Sequence, residues 1–489
     1  MLRRTLRLLW KFCKWTLLIA VVLVVLVIAI NWRDQPLSDE ALALLADQPA
    51  APVPDRENIL LALAGMKAPE GADVFEAGRR YLEEASKAGS LAEVIGATKA
   101  EKQKEAQEKK LEWKETRPPF DCQINMEGDF MQCIKKERSR LKETLALNET
   151  LVQRYRAMQD LPRYAAIQAP GQWILSMEYG GAIYNIRKIL LAQAMLDMKD
   201  GDSQAGLRFF KKDMALWRKN LDGKFCLIDS LVSAAWLMQD ARGLNMLLSL
   251  PTAQISEEQQ QEWRSLLAPL SPEQKSLYAA VEGEIKFVHN YAPEIKRWKS
   301  YHEVSNEEYI FCGVLSGEIK ACPAWQSWLE KNISSTFVQP NASFNDEVPF
   351  YKAWLKLTSL SWEDYLAQRD ATLAPFKKSA TPRIDWIYNP VGKSSSDFKP
   401  SYDEYIGRFH DADTYLRLVR LQLELRLAEV PSGQVADFLK QLDAPYCAPC
   451  SDFSWDAQTR KLSFQPYGKQ LAGRAPFSAD LPEAAAQVR

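Results

Sequence analysis

Residues 16–30 read TLLIAVVLVVLVIAI, a stretch without a charged residue and with a single hydroxyl group. Together with Trp15, Asn31 and Trp32 it reaches about 18 residues, or roughly 27 Å as a helix, which spans a thin bilayer. A helix in the core of a water-soluble protein is rarely apolar on every face. The stretch therefore predicts a transmembrane helix over residues 15–32, with one indole ring at each membrane interface.

The charges around this helix predict its direction. Five basic residues precede it, whereas the first acidic residue of the chain is Asp34. Because basic residues favour the cytoplasmic side, residues 1–14 are expected to form a short cytoplasmic tip. We expect a single-pass protein of a bacterial inner membrane, with most of the chain in the periplasm. The basic residues are Arg3, Arg4, Arg7, Lys11 and Lys14.

A cleavable signal peptide is the alternative interpretation of the same stretch. Its apolar region would be shorter, about 7–15 residues, and a small-x-small cleavage site would follow. Here residues 28–32 read IAINW and offer bulky side chains instead. The stretch is therefore expected to remain in place as an uncleaved signal-anchor.

The chain beyond this helix is mildly acidic and rich in apolar residues. Six of the 62 basic residues occur up to Arg33, which leaves 56 basic against 63 acidic residues and a net charge of −7. Such a charge disfavours nucleic acid as a partner. Hydrophobic residues make up 47% of the chain, which indicates a folded body and not a disordered tail.

Eight cysteines bear on the compartment. Cys13 lies at the predicted membrane edge, and Cys226 lies in an apolar helical segment, where a buried free thiol is the ordinary interpretation. The other six form closely spaced pairs, which in an exported chain indicate disulfides and an oxidising space such as a periplasm. Spacing does not prove the connectivity. The pairs are Cys122 with Cys133, Cys312 with Cys322, and Cys447 with Cys450.

Helical periodicity dominates the middle of the chain. Apolar residues recur every three or four positions from Ile183 to Ala194 and again from Leu207 to Leu221. Short loops separate such segments, so consecutive helices are expected to pack antiparallel as helical hairpins. The predicted fold class is mainly α: an N-terminal transmembrane helix followed by an antiparallel multi-helix, solenoid-like ectodomain.

Two segments near the C-terminus need a separate interpretation. Residues 421–427 alternate as in a strand, but their Leu, Gln, Glu and Arg favour a helix. Residues 453–455 and 461–464 flank a polar turn and predict one small β-hairpin.

These patterns divide the chain beyond residue 32 into five regions. The proline- and serine-rich region among them is a long irregular connection, and such connections are functional or mobile. The regions are 33–120 (N-terminal helices and a charged helical stalk), 121–375 (helical core), 376–412 (long irregular loop), 413–469 (C-terminal helices and the β-hairpin) and 470–489 (disordered tail).

The sharpest chemical motif is Cys447-Ala448-Pro449-Cys450. A C-x-x-C pair can be a redox dithiol when a helix begins at its first cysteine, or half of a zinc site. No helical pattern follows Cys450, and no second C-x-x-C exists in the chain. A structural disulfide that holds the hairpin is therefore favoured, and the redox and metal interpretations stay open.

His410, Asp411 and Asp413 form a second polar cluster, ahead of the helix predicted to begin at Asp413. The simpler interpretation makes Asp413 the N-cap of that helix, and the alternative is a catalytic or ligand-binding cluster. His302-Glu303 resembles the start of an H-E-x-x-H metal motif, but Asn306 stands where the second histidine is required. We assign no catalytic, cofactor-binding or metal-binding residue from the sequence.

Three stretches together resemble a family of uncharacterised, single-pass, mostly helical bacterial inner-membrane proteins. They are NWRDQPLS at residues 31–38, NPVG at residues 389–392 and WDAQTRKLSF at residues 455–464. In that family an Asp-Pro-Phe-x-Gly-x-Pro type of turn often leads into the hairpin. Residues 444–450, APYCAPC, replace that turn here, so the cysteines are expected to supply a covalent link in its place. The resemblance implies a location and a fold class, and no activity.

The sequence thus favours a non-enzymatic, membrane-tethered protein that binds an envelope protein partner through its helical body. Two enzymatic alternatives remain. One is a thiol–disulfide oxidoreductase that uses Cys447 and Cys450, and the other is an envelope hydrolase that uses residues 376–413. No cofactor is expected.

Overall fold

A computed structural model describes most of the chain, and its helices account for most of the described residues. A small three-stranded antiparallel sheet completes the architecture. The described residues are 2–46, 52–87, 110–122, 124, 130–165, 174–223, 226–250, 255–295, 339–376, 387–389, 393, 401–441, 453–467 and 476–481.

Helices and strands are numbered in chain order. The helices are α1 (Leu2–Ile30), α2 (Asp39–Leu45), α3 (Ile59–Ala64), α4 (Val74–Lys87), α5 (Phe130–Lys136), α6 (Arg138–Leu147), α7 (Glu149–Gln159), α8 (Ile174–Lys199), α9 (Ser203–Gly223), α10 (Leu227–Leu248), α11 (Glu257–Leu266), α12 (Pro272–Lys275), α13 (Tyr278–Ile295), α14 (Pro340–Leu357), α15 (Trp362–Leu373), α16 (Asp403–Leu427) and α17 (Val435–Gln441). The strands are β1 (Ser454–Asp456), β2 (Lys461–Phe464) and β3 (Phe477–Asp480).

Helix α1 is the candidate membrane helix. Within the described residues it alone is long and apolar enough to cross a membrane, over Trp10–Ile30. None of its most apolar window is buried inside the protein, and Leu17, for example, is 68% exposed. Removing such a side chain from water is worth about 1.5–3 kcal/mol, so this surface fits lipid better than water.

The core of the body forms where four helices meet. α8 packs on α9, α9 packs on α10, and α10 packs on α16. Leu216, Leu237 and Leu418 from three of these helices are completely buried. The packing of α16 on α10 brings together two helices that are far apart in the chain. A solenoid-like stack would instead pack each helix on the next one in the chain. The antiparallel, solenoid-like arrangement is thus not confirmed and stays a prediction.

Helix α16 confirms the helical interpretation of residues 421–427. Leu421, Leu423 and Leu425 are all buried, and so is Gln422 between two of them. Alternating leucines can all be buried in one helix because α16 is covered on nearly every side.

Serine caps begin two of the shorter helices. Ser256 before α11 and Ser271 before α12 each accept a hydrogen bond from the third residue of the helix. In both cases the backbone N–H of the serine donates in turn to the side-chain oxygen of the glutamine at that position, which completes a capping box.

The predicted β-hairpin is present as β1 and β2, with Trp455 paired to Leu462. The prediction of a disordered tail is wrong in part, because residues 477–480 form β3 beside β2. Composition did not suggest this strand because its stability comes from tertiary contacts. Asn245 of α10 donates to the Ser478 carbonyl at 2.9 Å, and Ala479 is completely buried.

Two further boundaries differ from the sequence prediction. Residues 110–120 of the expected helical stalk are not helical, and Leu111 donates its backbone N–H to the Lys67 carbonyl at 2.9 Å in the body. The irregular loop was predicted to run to residue 412, but α16 already begins at Asp403. Ile406 and Phe409 are buried there, and their packing extends the helix towards the N-terminus. Residues 88–109 lie outside the described part.

One of the three expected cysteine pairs lies in the described part of the chain. Cys122 and Cys133 are joined by a disulfide with their Cα atoms 5.8 Å apart. Cys13 is an exposed free thiol, and Cys226 is a buried one. The two other pairs, Cys312 with Cys322 and Cys447 with Cys450, lie outside the described residues, so the oxidoreductase hypothesis stays a prediction.

Candidate functional site

The candidate site is the junction between the candidate membrane helix α1 and the body. α1 ends at Ile30, and Asn31 then turns inward so that only 1% of it remains exposed. Its side-chain amide donates to the Val27 carbonyl and to the Ile387 carbonyl, each at 2.8 Å. Asn31 therefore caps α1 and, at the same time, attaches the end of α1 to a segment more than 350 residues away in the chain.

Two further buried amides complete this attachment, and we call Asn31, Gln339 and Asn389 the junction triad. The backbone N–H of Asn389 donates to Asn31 Oδ1 at 2.8 Å, and Gln339 Nε2 donates to the Asn31 carbonyl at 2.5 Å. The backbone N–H of Gln339 in turn donates to Asn389 Oδ1 at 2.9 Å. Gln339 and Asn389 are completely buried. Each member of the triad is thus hydrogen-bonded to both of the others, through its side chain or its backbone.

Asn389 occupies the most demanding position of the triad. Its φ of 54° lies in the left-handed region, which asparagine tolerates better than most residues. Its Nδ2 donates to Ser343 Oγ at 2.9 Å, so both ends of its amide are used. A replacement must therefore satisfy two hydrogen bonds and an unusual backbone conformation together.

Asp34 extends the junction to the start of α14. Its two carboxylate oxygens accept the backbone N–H groups of Asn341 at 2.9 Å and of Ala342 at 3.2 Å. The N-cap residue of α14, Gln339, makes no side-chain capping bond of its own. A carboxylate from a distant segment therefore caps this helix and suits its partial positive charge.

Further contacts follow along the same stretch. The backbone N–H of Gln35 donates to the Tyr388 hydroxyl at 3.1 Å, and Asn345 Nδ2 donates to the Pro36 carbonyl at 2.9 Å. Burial raises the pKa of Tyr388 above its ordinary value, so the hydroxyl stays protonated and can donate in turn to the Arg33 carbonyl at 3.3 Å. The segment after α1 is thus hydrogen-bonded to the body at several successive residues.

The junction joins two of the three stretches that resemble the bacterial membrane-protein family. Residues 31–38 contain Asn31 and Asp34, and residues 389–392 begin with Asn389. The sequence singled out both stretches but did not predict that they touch. Gln339 was not singled out at all, because one glutamine before a proline has no distinguishing pattern.

The polar cluster His410, Asp411 and Asp413 lies inside α16 and does not form a common site. Asp411 accepts the backbone N–H of Tyr467 at 2.7 Å, while Asp413 accepts that of Leu270 at 2.7 Å. The N-cap role predicted for Asp413 is wrong because α16 begins at Asp403. These carboxylates connect α16 to two different segments. Most of residues 377–400 lie outside the described part, so the hydrolase hypothesis stays a prediction.

His410 packs beside Trp362, with the ring centres 5.1 Å apart. Burial lowers the pKa of His410 from 6.5 to about 4, although the nearby Asp413 opposes the shift. The folded state thus binds this proton less tightly than the unfolded state. The stabilising contribution is complete above pH 6.5 and is lost as the pH falls towards 4.

We expect His410→Gln to flatten the pH dependence of stability between pH 6.5 and pH 4. Glutamine does not titrate, so the loss associated with this imidazole, at most about 3 kcal/mol, disappears. Chemical denaturation of wild type and variant at pH 7 and pH 4.5 measures the difference. Equal changes in the free energy of unfolding for both proteins would contradict the assignment.

A buried ionic network joins α8, α9 and α10. Arg187 donates to Asp213 through Nε at 2.8 Å and to Asp240 through Nη2 at 2.9 Å, and all three side chains are at most 2% exposed. The guanidinium lies 4.9 Å from the ring centre of Trp236 and 5.6 Å from that of Trp217. Charge pairing and the two rings together replace the water that this cation loses.

The network was missed by the sequence analysis, although a signal exists. Asp213 falls between Phe210 and Trp217, and Asp240 falls between Leu237 and Leu244, each at the spacing of the apolar face. Charged residues on the apolar faces of consecutive helices indicate a buried ion pair. Burial raises the pKa of Asp240 well above its ordinary value, with Arg187 opposing the shift.

Cys226 is the free thiol of this region. It is 3% exposed, and burial raises its pKa far above the ordinary range, with the nearby Asp229 adding to the shift. A thiol that is neither accessible nor ionised is a poor nucleophile.

We therefore expect Cys226 to resist maleimide labelling in the folded chain and to react after denaturation. Mass spectrometry of peptides from native and denatured samples measures this. The same peptide from the denatured sample serves as the reactive reference. Labelling of Cys226 in the folded chain at the rate seen after denaturation would show that the region opens in solution.

Within the described residues, no group of three or more His, Cys, Asp or Glu side chains could hold a metal ion. Comparisons with protein-family models, with curated proteins and with solved structures find no match to this chain.

Proposed function

We propose that this protein is a membrane-anchored interaction module that presents its helical body at a defined position relative to the membrane. The observation that carries this proposal is the junction triad, in which Asn31 at the end of the membrane helix is hydrogen-bonded to Gln339 and Asn389 of the body. A protein that needed only a tether could use a flexible linker at this point.

The energetics support a firm junction. Each buried hydrogen bond contributes about 0.5–1.5 kcal/mol, and a buried amide left without its partner costs about 1–3 kcal/mol. The triad members are at most 1% exposed, so water cannot take over these bonds without opening the junction. A tilt of α1 relative to α14 would have to break several of them at once.

The proposal includes a topology. The basic residues before α1 favour an N-terminus in the cytoplasm and a body in the periplasm of a bacterial envelope. The Cys122–Cys133 disulfide supports an oxidising compartment for the body. The partner is then another protein of the envelope, and the junction fixes the distance from the membrane at which the body binds it.

Cross-linking in intact membranes, followed by affinity purification of the full chain, tests the proposal. Wild type is expected to recover the same partner protein reproducibly, and Asn389→Ala is expected to recover much less of it. Gln153→Ala, which removes an exposed amide bonded to Glu149 on the same helix, is the control and should behave as wild type. A monomer recovered without a reproducible partner would contradict the proposal, and so would a partner recovered equally with Asn389→Ala.

A further inference from the structure

A groove of about 450 Å³ lies between the C-terminal half of α11, the segment 268–269 and α16. Arg264, Arg417 and Arg420 line it, and its lining includes no acidic residue. Ala268 and Pro269 form an apolar part of its wall. A concave surface with clustered guanidinium groups and an apolar wall has the composition of a site for an anionic organic molecule.

The carboxylates nearest to these arginines position them. Glu424 accepts Nε and Nη2 of Arg264, both at 3.0 Å, and Nε of Arg420 at 2.7 Å. Arg420 also donates to the Arg264 carbonyl in the last turn of α11. These bonds restrict the two side chains, so less conformational entropy is lost when a ligand binds.

Arg417 is the group best placed to donate to a ligand. Its Nη2 pairs with Asp413 Oδ2 at 3.0 Å, and Asp413 is shared with Lys275 and with the backbone N–H of Leu270. Its Nε is buried and has no acceptor among the residues that the structure describes. The Arg417 side chain as a whole is 20% exposed and lines the groove, so an oxyanion bound there can accept hydrogen bonds from the exposed part of its guanidinium.

From this geometry we propose that the groove between α11 and α16 binds the phosphate group of a small organic phosphate. A guanidinium presents a planar set of donors that matches phosphate oxygens two at a time. The groove is larger than one phosphate group needs, so the rest of the ligand lies against Ala268 and Pro269. The phosphate can come from a soluble ester or from a lipid headgroup, and both offer the same chemistry.

Titration of the full chain in detergent tests this site. Inorganic phosphate is expected to raise the melting temperature of wild type beyond the effect of chloride at equal ionic strength. Glycerol 3-phosphate and a short-chain phosphatidic acid, added separately, distinguish a soluble ester from a lipid by which one binds more tightly. Equal effects of phosphate and chloride would overturn the proposal, because general screening explains them.

Variants assign the binding to Arg417. Arg417→Gln is expected to weaken phosphate binding about tenfold or more, since one charge-assisted donor pair is lost. Arg408→Gln is the matched control: Arg408 lies on the same helix, pairs with Glu404 four residues earlier, and does not line the groove. Should Arg417→Gln not fold, Arg417→Lys keeps the charge but lacks the planar guanidinium, and it should also bind phosphate more weakly. Binding unchanged in these variants would overturn the proposal.

Discussion

Replacing Arg187 by methionine is expected to lower the free energy of unfolding by about 3–5 kcal/mol, a large share of the total stability of a folded domain. The variant leaves Asp213 and Asp240 completely buried without the cation that compensates them. Denaturant unfolding of the full chain measures the loss. Trp217 and Trp236, which flank the guanidinium, contribute to the tryptophan fluorescence that follows unfolding.

An exposed arginine provides the matched control. Arg156→Met on α7 makes the same chemical change on the surface, where substitutions usually alter stability by less than about 0.5 kcal/mol. If Arg187→Met cost no more than Arg156→Met, the buried network would not stabilise the contact of α8, α9 and α10.

The two carboxylates of the network are expected to respond differently to amide substitution. Asp213 accepts hydrogen bonds from Arg187 and from three other side chains, those of Tyr155, Gln159 and Trp217. Asp213→Asn should be costly, because the asparagine NH₂ group is itself a donor and would face some of these donors. Asp240→Asn should cost less. The pKa of Asp240 is raised well above its ordinary value by burial, and asparagine resembles the protonated acid.

The pH dependence gives the same contrast. Because the folded state binds the Asp240 proton more tightly than the unfolded state, this group stabilises the fold most below pH 3.8. Its contribution decreases as the pH rises towards the raised pKa of the folded state. Asp240→Asn should remove that decrease, whereas a variant with the slope of wild type would show that Asp240 is ionised in the fold.

The second large effect is expected at the junction. Asn389→Ala should lower the free energy of unfolding by about 3 kcal/mol, because the buried Gln339 N–H loses its acceptor and alanine is strained at a φ of 54°. Thermal unfolding measures the stability. Limited proteolysis between α1 and α2 measures whether the junction itself has opened.

Asn389→Gly separates the two causes. Glycine adopts positive φ without strain but also lacks the amide. The glycine variant should therefore be about 1 kcal/mol more stable than the alanine variant, and the part of the loss that comes from the missing hydrogen bond should remain. Asn389→Asp keeps Oδ1 as acceptor for Gln339 but loses the donor to Ser343 and buries a carboxylate, so it should also destabilise the fold. An alanine variant as stable as wild type, with unchanged proteolysis, would show that the junction triad does not hold α1 to the body.

Several elements were predictable because their causes are local. The long apolar helix α1 follows from the composition of residues 16–30, and the caps of α11 and α12 follow from Ser256 and Ser271 with a glutamine three residues later. The helical state of residues 421–427 follows from residue propensity despite their alternation. In each case the interactions that decide the structure lie within one or two turns of the chain.

The candidate site depended on distant contacts and could be predicted only in part. Asn31 and Asn389 belonged to recognisable stretches, but their hydrogen bonds cross more than 350 residues of sequence. The arginine groove combines α11 with α16, and no local pattern connects Arg264 to Arg417. His410, Asp411 and Asp413, close together in sequence, in turn face separate partners.

The sequence by itself determined that this chain has a helix apolar enough to cross a membrane, a largely helical body and a β-hairpin near its C-terminus. Only the tertiary structure decided that β3 forms, that α16 begins at Asp403, and that Asn31, Gln339 and Asn389 meet at the end of α1. Apolar periodicity and helix capping depend on residues close together in the sequence. A buried amide or guanidinium is stable only where folding brings its hydrogen-bond partner from elsewhere in the chain.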